Sequence, residues 1–342
     1  MDSEIRNFIH VWLTAIASLC YCYYIPAKLP KGMPRLLSLV PVFGLFALLP
    51  LRLSTVIPTG FTSFCLTWLA NSRLLLLAFD SGPLFPKKPL PIFVILACLS
   101  TMVTPHDKPN AAAAARGNTK LRLNYATKTL LYSVLVAVHG YKDLMSPKLL
   151  MALYSCMFYL FNEIALGFFV NGVRILIGVE LEPPSDEPYL STSLQDFWGR
   201  RWNLVVTDSL RQTVYKPIRR AVQPILGVQW APLPAVLASF LVSGIMHELL
   251  FYYITRAVPT WEVTWFFVFH GMCVILEVGI KVAVKGRWQL HPALSGPMVV
   301  VFVVVTATWW FYPPLVRNGA VDRSVDECKA LVQLLPPKPN GK

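Results

Sequence analysis

The sequence predicts an all-α, polytopic membrane protein of about nine transmembrane helices with interfacial amphipathic segments between them. Three observations predict it. Only 14% of the residues are charged, where a soluble domain carries about 25%. Mean hydropathy is +0.53. The apolar residues also fall in blocks that approach the roughly 20 needed to cross a bilayer, separated by short proline-rich or basic joints. At about 150 residues per soluble domain, 342 residues would suggest two domains. The blocks override that prior and make 1–342 one membrane-embedded unit.

In chain order, the predicted spans are Phe8 to Ile25, Leu36 to Ile57, Thr59 to Phe79, Leu90 to Val103, an extended block around Leu130 to Val138, Leu149 to Ile177, Leu233 to Ile254, Trp261 to Val282, and Pro297 to Pro313. The first block follows Asp2, Glu4 and Arg6. It lacks the basic flank of a cleavable signal and reads as a retained span. Backbone in hydrocarbon must satisfy its own hydrogen bonds, and the blocks lack ten-residue alternation, so helices are expected rather than a β-barrel. No internal repeat is visible, which argues against an inverted-repeat transporter.

Three connectors are long or basic: Thr104 to Lys128, Glu180 to Pro232, and Lys281 to His291. With nine spans all three share a side, and together they carry more Lys and Arg than the four opposite loops. The positive-inside rule then places them in the cytosol. The net charge of +13 is accounted for by these loops facing anionic membrane lipids, so no nucleic-acid partner is indicated. The run Asn110 to Gly117, with five successive alanines, reads as a linker. Seven cysteines lie mostly inside apolar blocks with no C-x-x-C spacing. Neither a disulfide framework nor a metal site is expected from them.

Two regions concentrate chemistry. The loop 180–232 is the least hydrophobic long segment, yet Phe197, Trp198, Trp202 and Tyr215 stand among its arginines. Aromatics mixed with cations suit a segment lying in the membrane interface. Within it Gln195 to Asn203 gathers Asp196, Arg200, Arg201 and Asn203 beside two indoles, more polar equipment than a plain anchor needs.

The second region, 233–284, holds a helix with His247 and Glu248 and the helix that follows it. At about 1.5 Å per residue from Leu233, His247 lies roughly 21 Å along its span. That is hydrocarbon depth, where an ionisable group marks a functional site by default. Ser243 and Gly244, one turn earlier, leave room beside the imidazole for a substrate. A neutral imidazole suits proton abstraction from a hydroxyl near neutral pH. Glu248 points about 100° away around the helix, so its role stays open. His270 and Glu277 follow on the next span, and His270 either serves the site or packs. No G-x-S-x-G, H-E-x-x-H, P-loop or dinucleotide fingerprint is present. The rival class is a transporter whose His247, Glu248 and Glu277 relay protons.

The run Glu187 to Asn203, together with Val242-Ser-Gly-Ile-Met-His-Glu248 and Thr264-Trp-Phe-Phe-Val-Phe-His-Gly271, resembles the plant wax synthase family. These are long-chain-alcohol O-fatty-acyltransferases of the membrane-bound O-acyltransferase superfamily. The similarity extends to Trp12 to Tyr24 and Pro50 to Ser54, and so covers most of the chain.

The resemblance implies acyl transfer from acyl-CoA, a co-substrate rather than a resident cofactor, to a lipid hydroxyl in the endoplasmic reticulum membrane. It makes His247 and Asn203 the catalytic pair, the latter ending a Trp-x-x-x-Trp-Asn pattern. Some family members acylate sterols, so the acceptor is a long-chain fatty alcohol or a sterol. An internal hydrophobic tunnel would admit both chains and exclude water from the thioester. Trp198, Trp202, Asp196, Ser243, Glu248 and His270 are then expected to contact substrate. Arg200 and Arg201, with Lys216, Arg219 and Arg220, would meet either the CoA phosphates or lipid headgroups. With no activated nucleophile in view, direct transfer is expected over an acyl-enzyme.

Overall fold

A computed structural model describes residues 2–86, 88–99, 123–178, 183–284 and 290–333, and these are helices and connectors without strands. Seven helices among them are long and apolar enough to cross a membrane: Ser3–Lys28, Met33–Arg52, Val56–Ala78, Pro147–Ile175, Pro232–Thr255, Glu262–Ala283 and Pro292–Phe311. The protein is an all-α, multi-pass membrane protein.

Of the nine expected blocks, two form shorter helices among the described residues. Leu90–Cys98 has nine residues, about 14 Å at 1.5 Å each. Tyr125–His139 has fifteen, about 22 Å. Neither matches the roughly 30 Å hydrocarbon core. Asn124 sets the start of the second by accepting the Thr127 N–H, 2.8 Å away, and Gly140 ends it. The two are consecutive, so removing both from the count leaves the parity of every later loop unchanged. Lys108, Arg116, Lys120, Arg122, the alanine run, Lys285 and Arg287 lie outside the described residues.

Val56–Ala78 is the centre of the bundle. In its most apolar stretch 67% of residues lie inside the protein, against 22% to 39% for the other six. Its start carries the unpaired N–H groups of any helix, and two carboxylates satisfy that end. Glu4 accepts from the backbone and hydroxyls of Ser54 and Thr55 at 2.7 to 3.0 Å. Glu327, on the C-terminal amphipathic helix Ala320–Gln333, accepts from Val56 and Ile57 at 2.6 and 2.9 Å. The chain's two ends thus close on the helix that passes through its middle.

The helices Pro232–Thr255 and Glu262–Ala283 pack tightly because glycine lets their backbones approach. A Cβ on Gly244 would come 2.7 Å from Thr264 Cα, and one on Gly271 would come 3.0 Å from Phe240. The space expected beside His247 at Gly244 is therefore filled by Thr264. Glu248, only 4% exposed, accepts the Thr264 N–H at 3.1 Å, capping the first turn of the next helix. Gly244→Val is expected to force these backbones apart. Overpacking of this kind costs typically 1–3 kcal/mol, read as a lowered melting temperature or loss of monodisperse protein in detergent.

Candidate active site

The loop 183–203 is tied down before it presents anything. Asp186 N–H and Leu204 N–H donate to Arg201 and Pro184 carbonyls at 2.9 and 2.7 Å. Arg201 Nε donates to Asp196 at 2.8 Å, and its guanidinium also reaches the Asp186 carbonyl at 3.0 Å. Leu194 N–H donates to Glu277 at 2.7 Å.

On the other flank Lys128, 5% exposed, pairs with Glu163 at 2.8 Å and Glu187 at 3.1 Å. Burial pulls the Lys128 ammonium down, but hydrogen bonds and attraction from Glu163 and then Glu187 outweigh it and raise it above its ordinary value. The ammonium stays charged and joins two helices to the loop. Lys128→Ala would strand two carboxylates, and breaking such a pair costs about 3–5 kcal/mol. The expected outcome is a protein that loses its fold in detergent at temperatures the wild type withstands.

From this scaffold the turn Phe197–Arg201 closes through a 2.8 Å bond from Trp202 N–H to the Phe197 carbonyl. Trp202 stacks on Phe197 with centroids 5.7 Å apart and planes at 9°. Asn203 follows in the left-handed region at φ 40°, a conformation that asparagine tolerates better than most residues. Its Oδ1 accepts the Val206 N–H at 3.2 Å, starting the helix Leu204–Leu210. That bond identifies the carbonyl end of the side chain and leaves the Nδ2 amide with two donors and no partner among the described residues.

Asn203 lines a cavity of about 20 Å³ whose other walls are apolar, among them Phe64, Cys65 and Leu69 of Val56–Ala78 and Leu166 and Phe169 of Pro147–Ile177. That volume holds about one water, too little for a hydrocarbon chain, so the expected tunnel is not seen at this cavity among the described residues.

His247 projects from Pro232–Thr255 into an aromatic enclosure. Phe267 stacks on it at 4.4 Å and 28°, Trp68 meets it edge-on at 5.0 Å and 89°, and Phe311 stands 5.7 Å away. The ring is thus held inside the bundle and not turned to lipid. Its Nδ1 lies 2.7 Å from the Ser243 carbonyl. A carbonyl only accepts, so Nδ1 carries the proton and Nε2 keeps its lone pair. Nε2 has no partner among the described residues. His247 does not line the Asn203 cavity. The two meet through Val56–Ala78, where Cys65 and Leu69 wall the cavity and Trp68, between them, touches the imidazole.

The remaining predicted contacts divide. Trp198 packs against Phe240, Phe267 and His270. His270 is fully buried and bonds Trp198 and Thr306, so neither nitrogen is open to substrate. Ser243 serves through its carbonyl, Glu248 caps a helix, and Arg201 and Asp196 hold each other. Arg200, Lys216 and Arg220 are exposed and form no ion pair among the described residues.

Sequence reasoning missed Trp68 and Phe311, which carried no signal beyond being aromatic in apolar blocks, and it gave no role to Phe267, which lies within the run Thr264 to Gly271. It also missed Arg73. The rule that flagged His247 applies to this buried guanidinium, which donates to the Leu96 and Leu99 carbonyls and so ends Leu90–Cys98 beside the cavity.

A tautomerically fixed histidine in an aromatic enclosure and, across Val56–Ala78 from it, an amide beside a small apolar cavity make up the candidate site. The family model described as membrane bound O-acyl transferase matches residues 181–269. Over nearly its full length the chain is similar to "Probable long-chain-alcohol O-fatty-acyltransferase 1" of Arabidopsis thaliana, at 44% identity with 98% of each chain covered. It is 41% identical to "Long-chain-alcohol O-fatty-acyltransferase" of Simmondsia chinensis, covering 96% of this chain and 94% of the relative. It is 39% identical to "Acyl-CoA--sterol O-acyltransferase 1" of Arabidopsis thaliana, covering 95% of each. The chain belongs to the membrane bound O-acyl transferase family and is an acyltransferase.

Proposed function

We propose that the protein transfers a fatty acyl group from acyl-CoA to the hydroxyl of a long-chain alcohol, forming a wax ester in the endoplasmic reticulum membrane. The observation that carries this reading is the Nε2 of His247, without a partner among the described residues and held in the basic tautomer by the Ser243 carbonyl. As the alcohol oxygen attacks the thioester carbon, Nε2 takes the hydroxyl proton. The carbonyl oxygen becomes an oxyanion, and the free Nδ2 of Asn203 donates to it. Collapse re-forms the carbonyl, breaks the carbon–sulfur bond, and returns the proton from Nε2 to the leaving CoA sulfur. The transfer is direct in this reading: among the described residues the imidazole's one hydrogen bond goes to the Ser243 carbonyl, and no serine hydroxyl or cysteine thiol is bonded to it as an activated nucleophile would be.

The apolar cavity accepts hydrocarbon and keeps water from the thioester. Exposed Arg200, Lys216 and Arg220 meet the CoA phosphates from the cytosolic side, whereas Arg201, committed to Asp196, does not. The names of the similar proteins support both an alcohol and a sterol as acceptor, and two of the three favour the alcohol.

Microsomes from an ester-deficient host expressing the protein, given labelled palmitoyl-CoA with hexadecanol or with a sterol, are expected to make hexadecyl palmitate. Steryl ester alone would move the acceptor to sterols, and no ester from either would overturn the reading.

A further inference from the structure

The second buried histidine forms a chain of hydrogen bonds whose direction is fixed by its ends. Trp198 Nε1 can only donate, and it lies 3.1 Å from His270 Nδ1. Nδ1 is therefore the acceptor and Nε2 carries the proton. Nε2 donates to Thr306 Oγ1 at 2.8 Å, and that hydroxyl donates onward to the Phe302 carbonyl at 2.8 Å. One neutral tautomer satisfies every member.

The chain joins the two halves of the site. Trp198 lies inside the closed turn that stacking of Trp202 on Phe197 completes, and Asn203 emerges from that turn. Trp198 also touches Phe267, at 5.6 Å between centroids, and Phe267 stacks on His247. His270 lies one turn after Phe267 on the same helix. The bond from Trp198 thus registers the Asn203 turn against the helix that holds the His247 ring.

We propose that His270 is a positioning residue: by accepting from Trp198 it sets where the Asn203 amide stands relative to His247, without touching substrate. This rests on the acyl-transfer reading of the site. A catalytic group misplaced by about 1 Å can cost on the order of 100-fold in rate.

The test compares full-length wild type with His270→Phe, Trp198→Phe, the double variant, and His270→Gln, which keeps one acceptor and one donor. Ester synthesis is measured alongside backbone hydrogen exchange across residues 194–206. Each single Phe variant is expected to lower kcat about 10- to 100-fold with KM within about two-fold. The double variant should be no slower than the slower single, because both remove the same bond. His270→Gln should recover most of kcat, and amide exchange near Asn203 should rise in the three Phe-bearing proteins only.

Losses that multiply in the double variant, unchanged kcat, or exchange that does not move in His270→Phe would each overturn the proposal. If wild type made no ester, the acyl-transfer reading would fall, and the exchange result would still decide whether His270 holds the turn.

Discussion

Replacing His247 by alanine is expected to reduce ester synthesis by about 10²- to 10⁴-fold, the contribution a general base typically makes. The fold should survive, because the imidazole makes one side-chain hydrogen bond, back to Ser243 on its own helix, and otherwise packs against Trp68, Phe267 and Phe311. Glutamine is the sharper comparison. It can bond the Ser243 carbonyl and fill much of the enclosure, yet it cannot take a proton near neutral pH. His247→Gln should therefore be as inactive as alanine while keeping wild-type melting behaviour in detergent. Measured rates with protein quantified by size-exclusion fluorescence separate the loss of the base from loss of the enzyme.

The second large effect is expected at Asn203, whose two ends have different duties. Oδ1 caps the helix Leu204–Leu210, and Nδ2 has no partner among the described residues. Asn203→Ala removes both, losing the cap at about 1 kcal/mol and leaving φ 40° to a residue without the local side-chain hydrogen bonding that lets asparagine tolerate it. Asn203→Asp keeps an acceptor that caps well and tolerates the left-handed region, and it replaces the donors by a carboxylate oxygen that, when ionised, cannot donate and repels an oxyanion. If the donor stabilises the oxyanion, Asp should lose about 10²- to 10³-fold in kcat with little change in melting temperature. Alanine should lose both rate and stability. An aspartate variant with near wild-type kcat would leave Asn203 a helix cap and nothing more.

Much of this was legible in the sequence, and the rest was not for identifiable reasons. Blocks such as Leu233 to Ile254 announced themselves by hydropathy, since crossing a bilayer requires a length and a composition and little else. At Leu90 and Leu130 the described helices are shorter than a span, because apolar residues alone do not say whether a helix continues. Asn124 and Gly140 set the limits of the second of these helices through local hydrogen bonds.

His247 was visible because charge-bearing groups are rare in hydrocarbon. The aromatic enclosure was not, because Trp68 and Phe311 reach it from spans far away in sequence and look like any lipid-facing ring. Glu248 was the instructive case. Its burial was foreseeable, but its partner, the Thr264 amide, follows from the close approach that Gly244 allows. The glycine read as room for substrate was room for a helix. Arg201 and Asp196 stood together in the sequence reading, yet only their pairing shows that they hold the loop.

The central claim is that His247 Nε2 meets the acceptor hydroxyl while Asn203 Nδ2 meets the thioester oxygen, after the walls around the 20 Å³ cavity separate. The most direct measurement is an experimental structure of the full chain with hexadecanol and a non-transferable acyl-CoA analogue. The account predicts the hydroxyl oxygen within about 2.6–3.2 Å of Nε2, with both alkyl chains in an opened cavity. A structure in which both ligands bind and Nε2 remains sealed behind Trp68 and Phe267, out of reach of either, would contradict it.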